Sequence, residues 1–314
     1  MQLVRGLHNL RPQHRGCVAT IGNFDGVHRG HQAILVRLRE RARELGLPSC
    51  VMLFEPQPRE YFAPDTAPAR LARLRDKVEL LRAEGIDRVL CLPFNQRLSL
   101  LSATEFVDTI LVGGLGVQHL EVGDDFRFGC DRLGDFAFLT EAGERLGFTV
   151  EAAQTVEQDG VRVSSTQVRN ALAAANFDLA ERLLGRPFSI AGRVLHGQKL
   201  ARQLGWPTAN VQLKRRRVPL AGVYLVSAVV GGVRYPGAAN IGVRPTVAGD
   251  GRPHLEIHLL GFQGDLYGQR LAVQFHQKLR DEQRFASLEA LKSAIDADVA
   301  AAQALWQAHS KSLK

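Results

Sequence analysis

Two histidines three residues apart, His28 and His31, are the first residues of this chain whose spacing could do chemistry. At a helix start that spacing brings both imidazoles to one side, where each ring can donate a hydrogen bond to a phosphate oxygen. Gly30 between them removes a side chain that would obstruct an approaching ligand. A zinc reading fails, because no CxxC and no third histidine, cysteine or carboxylate follows at ligand spacing. Upstream, an apolar run, Cys17–Ile21, reads as a buried strand and passes into Gly22-Asn23-Phe24-Asp25-Gly26. Downstream, His31–Leu45 has helical spacing, with Ile34, Leu35, Leu38, Ala42 and Leu45 on one stripe. Strand, glycine turn and helix start make an anion site from backbone N–H groups and the helix dipole. Gly22, Asn23 and Asp25 therefore join the two histidines as candidate phosphate-side residues.

Four further constellations carry polar chemistry. Gly123–Gly129 holds Asp124 and Asp125, which could position a ribose or a metal, and Phe126 and Phe128, either of which could stack on a flat ring. An acidic turn with its phenylalanines in the core explains the same stretch equally well. Ser164, Ser165 and Thr166 precede a helix-favouring run and are N-cap material; Arg169 adds a forked donor that suits a polyphosphate. Gly192–Lys199 resembles a Walker A loop and misses it: the lysine is one place late, and no Ser, Thr or helix follows. Gly197 and Lys199 can still cradle phosphate from a loop. Thr208 and Asn210, two apart in an extended segment, face one side and offer hard oxygens of the kind a nucleotide-bound Mg²⁺ accepts. In His254–Leu259, alternation puts Leu255, Ile257 and Leu259 on a core face and His254, Glu256 and His258 on the other. Glu256 or either imidazole could take a proton from an attacking hydroxyl within roughly 2.6–3.2 Å.

The elements that position these residues divide the chain in two. Strand candidates at Cys17–Asn23, Pro48–Phe54, Arg88–Leu92, His119–Val122 and Phe148–Ala153 alternate with helical stretches at His31–Leu45, Leu71–Ala83, Thr104–Leu111 and Asp135–Leu146. Such alternation implies a mostly parallel sheet whose ligands bind past the strands' carboxyl ends. Short helices over Gln167–Ala175 and Asp178–Leu184 follow, and Arg186-Pro187 marks the expected boundary between domains 1–186 and 187–314. Beyond it, period-two runs at Phe188–Leu195, Gly222–Val230, Val233–Gly237, His254–Leu260 and Leu271–Leu279 predict an antiparallel sheet or small barrel, with a tight hairpin at Gly231-Gly232. A last helix, after Ser287, should pack on it.

The 314 residues carry a formal net charge of +8, with 45% hydrophobic and 23% charged residues. That is the balance of a soluble two-domain protein favouring anionic partners. The densest basic run, Lys214–Arg217, has no interleaved aromatics and reads as a solvated loop, so a nucleic-acid partner is not expected. Four scattered cysteines without pairing motifs read as free thiols in a reducing compartment. With no leader-like apolar segment at the start and no run of membrane-spanning length, a cytoplasmic location and no membrane partner are expected.

Taken in order, the motifs resemble the bacterial bifunctional riboflavin kinase/FMN adenylyltransferase family. They are GNFDGVHRGH at 22–31, FEPQP at 54–58, GDDFRFG at 123–129, SSTQVR at 164–169, LLGRPFSIAGRV at 183–194, LGWPTAN at 204–210, GVY at 222–224, NIGVRPT at 240–246, DLYG at 265–268 and LRDE at 279–282. The resemblance implies an α/β architecture: a Rossmann-like nucleotidyltransferase domain followed by a six-stranded antiparallel flavokinase-like barrel and a closing helix. It implies MgATP-dependent conversion of riboflavin to FMN and of FMN to FAD, by a monomer or weak homo-oligomer. It casts His28, His31 and Arg169 as catalytic groups of adenylyl transfer, with Asn23, Ser164, Ser165 and Thr166 on phosphate. It casts Glu256 as the base of the kinase, Thr208 and Asn210 as Mg²⁺ ligands, and Lys199 as part of the loop over ATP. Asp125, Phe126, Phe128 and Arg280 are its candidates for flavin contact. Trp206, Leu53 and the Gln198–Ala201 segment depart from the usual pattern. The competing class is a nucleotidyltransferase of single activity with an appended binding barrel.

Overall fold

The computed structural model describes residues 1–123, 125–130, 132–196, 205–243 and 253–312, the side chains of 309–312 excepted. Two compact units form, one from Met1–Pro68 with Ala72–Ser164 and one from Ala69–Leu71 with Ser165–Lys314.

The first unit is built on six parallel strands: β1 (Gln2–Arg5), β2 (Cys17–Ile21), β3 (Ser49–Glu55), β4 (Arg88–Pro93), β5 (Val117–Gly123) and β6 (Thr149–Ala153), ordered β1-β4-β3-β2-β5-β6. The inner strands are mostly apolar and buried at nearly every position, because both faces are covered. Side-chain alternation sends Cys17, Ala19, Ile21, Cys50 and Met52 into one core cluster and Val18, Val51 and Leu53 into the other. The helices are α1 (Arg29–Leu45), α2 (Pro58–Phe62), α3 (Leu74–Ala83), α4 (Gln96–Ser99), α5 (Ala103–Phe106) and α6 (Phe136–Leu146). From β2 the chain steps to β3 on one side, and β5 pairs on the other, so β2 and β5 flank the switch point where such sheets hold ligands.

Three differences from the expected elements have local causes. Helix α3 begins at Leu74 rather than Leu71, because Arg73 and Asp76 form its cap and the Ala72 N–H is donated to Asp25 Oδ1 at 2.9 Å. The expected helix at 104–111 starts at Ala103 on the Ser102/Glu105 capping box and runs on as a π-helix over Val107–Leu115. Leu45, expected on the buried stripe of α1, is exposed beside the left-handed Gly46 that ends the helix.

In the second unit, α7 (Ser165–Ala173) and α8 (Phe177–Leu184) follow a two-stranded ribbon of the first unit, β7 (Glu157–Gln158) and β8 (Val161–Arg162). Six antiparallel strands then close a barrel: β9 (Ser189–Leu195), β10 (Ala209–Val211), β11 (Gly222–Val230), β12 (Val233–Val243), β13 (Pro253–Leu259) and β14 (Arg270–Arg280), ordered β10-β13-β12-β11-β14-β9 and back to β10. The β11–β12 turn uses Gly231 and Gly232 at φ 56° and 83°, the pair of positive values a two-residue hairpin requires. Strand β12 runs six residues past its expected end at Gly237. That glycine is where the His258 backbone of β13 crosses too closely for any side chain. Phe177 of α8 packs edge-on against Tyr224, with ring centroids 5.7 Å apart, and holds the helix to the barrel. The closing helix, α9 (Leu288–Ser312), buries Val299 and Ala302, while Leu288 at its start is exposed.

Candidate active sites

In the first unit the Gly22–His31 turn is held in a strained conformation. Phe24 and Val27 adopt φ 45° and 42°, a left-handed region costly for bulky and β-branched side chains. Both side chains are buried among Val18, Leu35 and Leu38, and this packing enforces the strain. His28 caps α1, its Nδ1 accepting the His31 N–H at 3.3 Å. With Nδ1 an acceptor, the neutral ring carries its proton on Nε2, which makes that nitrogen the donor. The His28 and His31 rings stack at 3.7 Å between centroids and 17° between planes, and Phe24 lies 4.7 Å from His31. Burial, then the neighbouring His28 and Lys77, hold the His31 pKa well below its ordinary value, so His31 is neutral at pH 7. Its Nδ1 is buried and has no hydrogen-bond partner among the described residues. A Cβ on Gly30 would lie 3.2 Å from His28 Nδ1 and from the Val163 carbonyl oxygen. The segment leading into Ser164 therefore passes directly over the first turn of α1.

The remaining predicted residues of this chemistry fall in several places. Asp25 is buried, and its bond to Ala72 N–H ties the glycine turn to the start of α3. Ser164 belongs to the first unit, and Ser165, Thr166 and Arg169 to α7 in the second, where Arg169 Nε donates to Ala69 O at 2.6 Å. Asp125 is exposed and pairs with Arg162 at 3.5 Å. Phe126 is half-buried, stacked 5.5 Å from Phe128. Phe128, at 8% exposure, packs with Phe106, Phe126 and Phe138 as part of the core, and Phe126 is the less buried of the two candidates. An aromatic group missed in the sequence lies at the carboxyl ends of β3 and β4. Phe54, Tyr61, Phe62 and Phe94 meet edge to face, and Phe62 is 66% exposed. The FEPQP stretch and Phe94 were its only signals.

The second unit gathers the other set. In the ladder, Asn210 of β10 stands opposite Glu256 of β13, and Glu256 stands opposite Asn240 of β12. Cross-strand neighbours share a face, so the three polar side chains form one row. The burial of β13 alternates as predicted, with Leu255, Ile257 and Leu259 buried and His254, Glu256 and His258 half-buried. Thr208 and Asn210 line a cavity of about 390 Å³ whose wall also includes Phe262, Asp265 and Tyr267. Of the two imidazoles, His258 is engaged elsewhere, its Nδ1 on Pro207 O at 2.8 Å and its ring 5.1 Å from Trp206. Asn240 was missed because only the register brings it beside Glu256; its Oδ1 is buried and makes no hydrogen bond among the described residues. Gly197 and Lys199 lie outside the described residues. Arg280, a flavin candidate, donates from Nε and Nη2 to both oxygens of Asp298 at 2.8 Å and from Nη1 to Asp281 O at 3.0 Å, which ties α9 to β14. Arg215, in the basic run read as solvated, is also buried and donates to the Arg70 and Leu71 carbonyls.

Among the described residues no helix is long and apolar enough to cross a membrane, and no three His, Cys, Asp or Glu side chains gather as a metal site. Cys17, Cys50 and Cys91 are buried free thiols and Cys130 is exposed.

Comparison with known proteins gives concordant matches. Residues 10–167 match the family model of FAD synthetase and residues 184–306 that of riboflavin kinase. The chain is 80% identical over 305 residues to the bifunctional riboflavin kinase/FMN adenylyltransferase of Pseudomonas fluorescens, covering 97% of this chain and 98% of that one. It is 55% identical over 301 residues to the protein of the same name in Escherichia coli K12, covering 95% and 96%. A crystal structure from Streptococcus pneumoniae described as a macrolide-efflux protein superposes with a TM-score of 0.77 at 27% identity, covering 95% of this chain and 97% of that one.

Proposed function

The chain belongs to the family of bifunctional riboflavin kinase/FMN adenylyltransferases, and on that premise we propose how its residues divide the two reactions. The protein phosphorylates riboflavin to FMN with its C-terminal part and adenylylates FMN to FAD with its N-terminal part. Residues 1–186 are assigned to the second reaction and 187–314 to the first. That the two reactions have separate sites rests on one observation: the stacked His28–His31 pair and the Asn210–Glu256–Asn240 row are built in different compact units.

In adenylyl transfer, a phosphate oxygen of FMN attacks the α-phosphorus of ATP, the bond to the bridging oxygen breaks, and pyrophosphate leaves with the negative charge. Donors aimed at that developing charge supply most of the rate enhancement, since the protein need form no covalent bond. His28 Nε2 and neutral His31 are those donors. Asn23 and Ser164 add phosphate contacts, with Gly22 and Asp25 shaping the turn; Ser165, Thr166 and Arg169 keep the phosphate role that the family resemblance implies. Phe126 and the Tyr61/Phe62 group receive the isoalloxazine ring, beside Asp125.

In the kinase, the terminal ribityl hydroxyl attacks the γ-phosphorus and ADP leaves. Glu256 accepts the hydroxyl proton. Thr208 and Asn210, both in the cavity wall, offer a hydroxyl and an amide oxygen, hard ligands that would suit Mg²⁺, which would neutralise phosphate charge when bound. Gly197 and Lys199 are retained as phosphate-loop residues. The protein acts in the cytoplasm as a monomer or weak homo-oligomer, without a nucleic-acid partner.

The test supplies each step with its own substrate, riboflavin or FMN, together with MgATP. His28→Ala lowers FAD formation by about 10²–10³ and leaves FMN formation intact. Glu256→Gln and Asn210→Ala do the converse. A variant that stops both steps equally refutes the division.

A further inference from the structure

Lys77 is wholly shut off from water, at 0% exposure, in the first turn of α3 beside the buried Val78 and Leu81. Its Nζ donates to the backbone carbonyl of Asn23 at 3.1 Å. Burying an ammonium is expensive, and the positive end of a helix dipole is an unfavourable place for it. A leucine would fill such a position at lower cost, so the stability of α3 does not account for the residue. Its bond to Asn23 O links α3 to the glycine turn. Asn23 immediately precedes the first strained residue of the glycine turn, Phe24. The peptide joining them is planar and trans, so a carbonyl held toward α3 turns the Phe24 N–H to the opposite side. That N–H has no acceptor among the described residues.

We propose that Lys77 is a positioning residue of the adenylyl-transfer site, fixing the Asn23–Phe24 peptide and with it the turn that presents His28 and His31 to phosphate. The inference rests on the assignment of that turn to FAD formation. Its charge has a second effect. The charged and titratable groups acting on His31 are His28 from its own segment and Lys77 from α3, and both oppose protonation of the ring. Lys77 thereby adds to the burial and the His28 charge that hold the His31 pKa well below its ordinary value.

The experiment is FAD formation from FMN and MgATP by Lys77→Met, followed from acid to neutral pH, with FMN formation from riboflavin in the same preparation as the control. Expected are a fall in kcat on the order of 10²-fold, an acidic limb displaced to higher pH, and unchanged FMN formation. The displacement follows because removing a positive charge raises the His31 pKa, and a purely structural lysine would not produce it. Undiminished FAD formation, or a loss with the acidic limb unmoved, overturns the proposal. If Lys77→Met loses both activities, Lys77→Gln keeps an N–H donor without the charge, and the same two readouts decide. Wild-type protein run alongside separates this failure from that of the parent assignment. If His28→Ala still makes FAD at the wild-type rate, the turn itself is misassigned.

Discussion

Glu121 of β5 is 2% exposed, stands opposite Thr20 of β2, and has an Oε1 that makes no hydrogen bond among the described residues. Burial pushes its pKa up to about 7; Arg37, with Nε 3.6 Å away, opposes the rise, and the carboxylate of Glu151 adds to it. A raised carboxylate pKa means that the folded protein binds this proton more tightly than the unfolded chain does. Stability is therefore lost as pH rises from the ordinary value of 4.5 to about 7, and the loss is complete above that. The difference of about 2.5 units corresponds to about 3 kcal/mol at pH 8 and to less than about 1 kcal/mol at pH 5. Glu121→Gln removes the titration while keeping the shape, and Arg37 retains Glu151 at 3.2 Å. The variant should raise the stability of the first unit by up to about 3 kcal/mol at pH 8 and hardly at all at pH 5. Trp206 and Trp306 both belong to the second unit, so their fluorescence serves as an unmoved control. Urea unfolding of the first unit is followed by far-ultraviolet circular dichroism and by loss of FAD formation. A loss at pH 8 shows that the Arg37 attraction outweighs desolvation, and a gain of the same size at both pH values shows that titration is not its source; either refutes the reasoning.

Two further outcomes follow from contacts already described. Gly30→Ala places a methyl group 3.2 Å from His28 Nδ1 and from the Val163 carbonyl, and the backbone oxygen is the less able to yield. The His28 ring is displaced, and FAD formation falls by about 10²-fold while FMN formation is unchanged, as steady-state rates on each substrate will show. Arg280→Met leaves the buried Asp298 carboxylate without its bidentate partner and destabilises the second unit by about 3–5 kcal/mol, read from Trp306 fluorescence in urea. A rise in KM for riboflavin with stability intact would instead support Arg280 as a flavin contact.

What could be read from the chain and what could not separate along one physical line. Local periodicity announced the alternating strands and helices of the first unit, the outward face of β13 and the Gly231-Gly232 hairpin, because each depends on residues within a few positions of one another. Strands β1 and β10 gave no such signal. Four and three residues long, they exist by pairing with β4, and with β9 and β13, which are distant in sequence. The same holds for single residues. Glu256 could be picked from its alternation, but Asn240 joins it only through the β12–β13 register. Phe128 and Arg280 bear the side chains a flavin site would use, and tertiary packing places one in a core and the other in a clamp. Nothing in the residues around Lys77 marks it as buried, since a lysine on an amphipathic helix is ordinarily solvated.

The two sites reach rigidity by different means, and this decides where each is vulnerable. Phosphoryl and adenylyl transfer depend on placing donors within a fraction of an ångström of developing charge. The first site does so with a short turn in an unfavourable backbone conformation, kept there by the burial of Phe24 and Val27 and by the Lys77–Asn23 bond. Its weak points therefore lie behind the reacting groups, in residues that touch no substrate. The second site does so with register: Asn210, Glu256 and Asn240 are held abreast by three paired strands of a closed barrel. Its sensitivity therefore lies first in the row itself. Substitutions that release the turn should consequently abolish FAD formation alone, whereas the kinase should lose its chemistry first through changes in the row that meets its substrates.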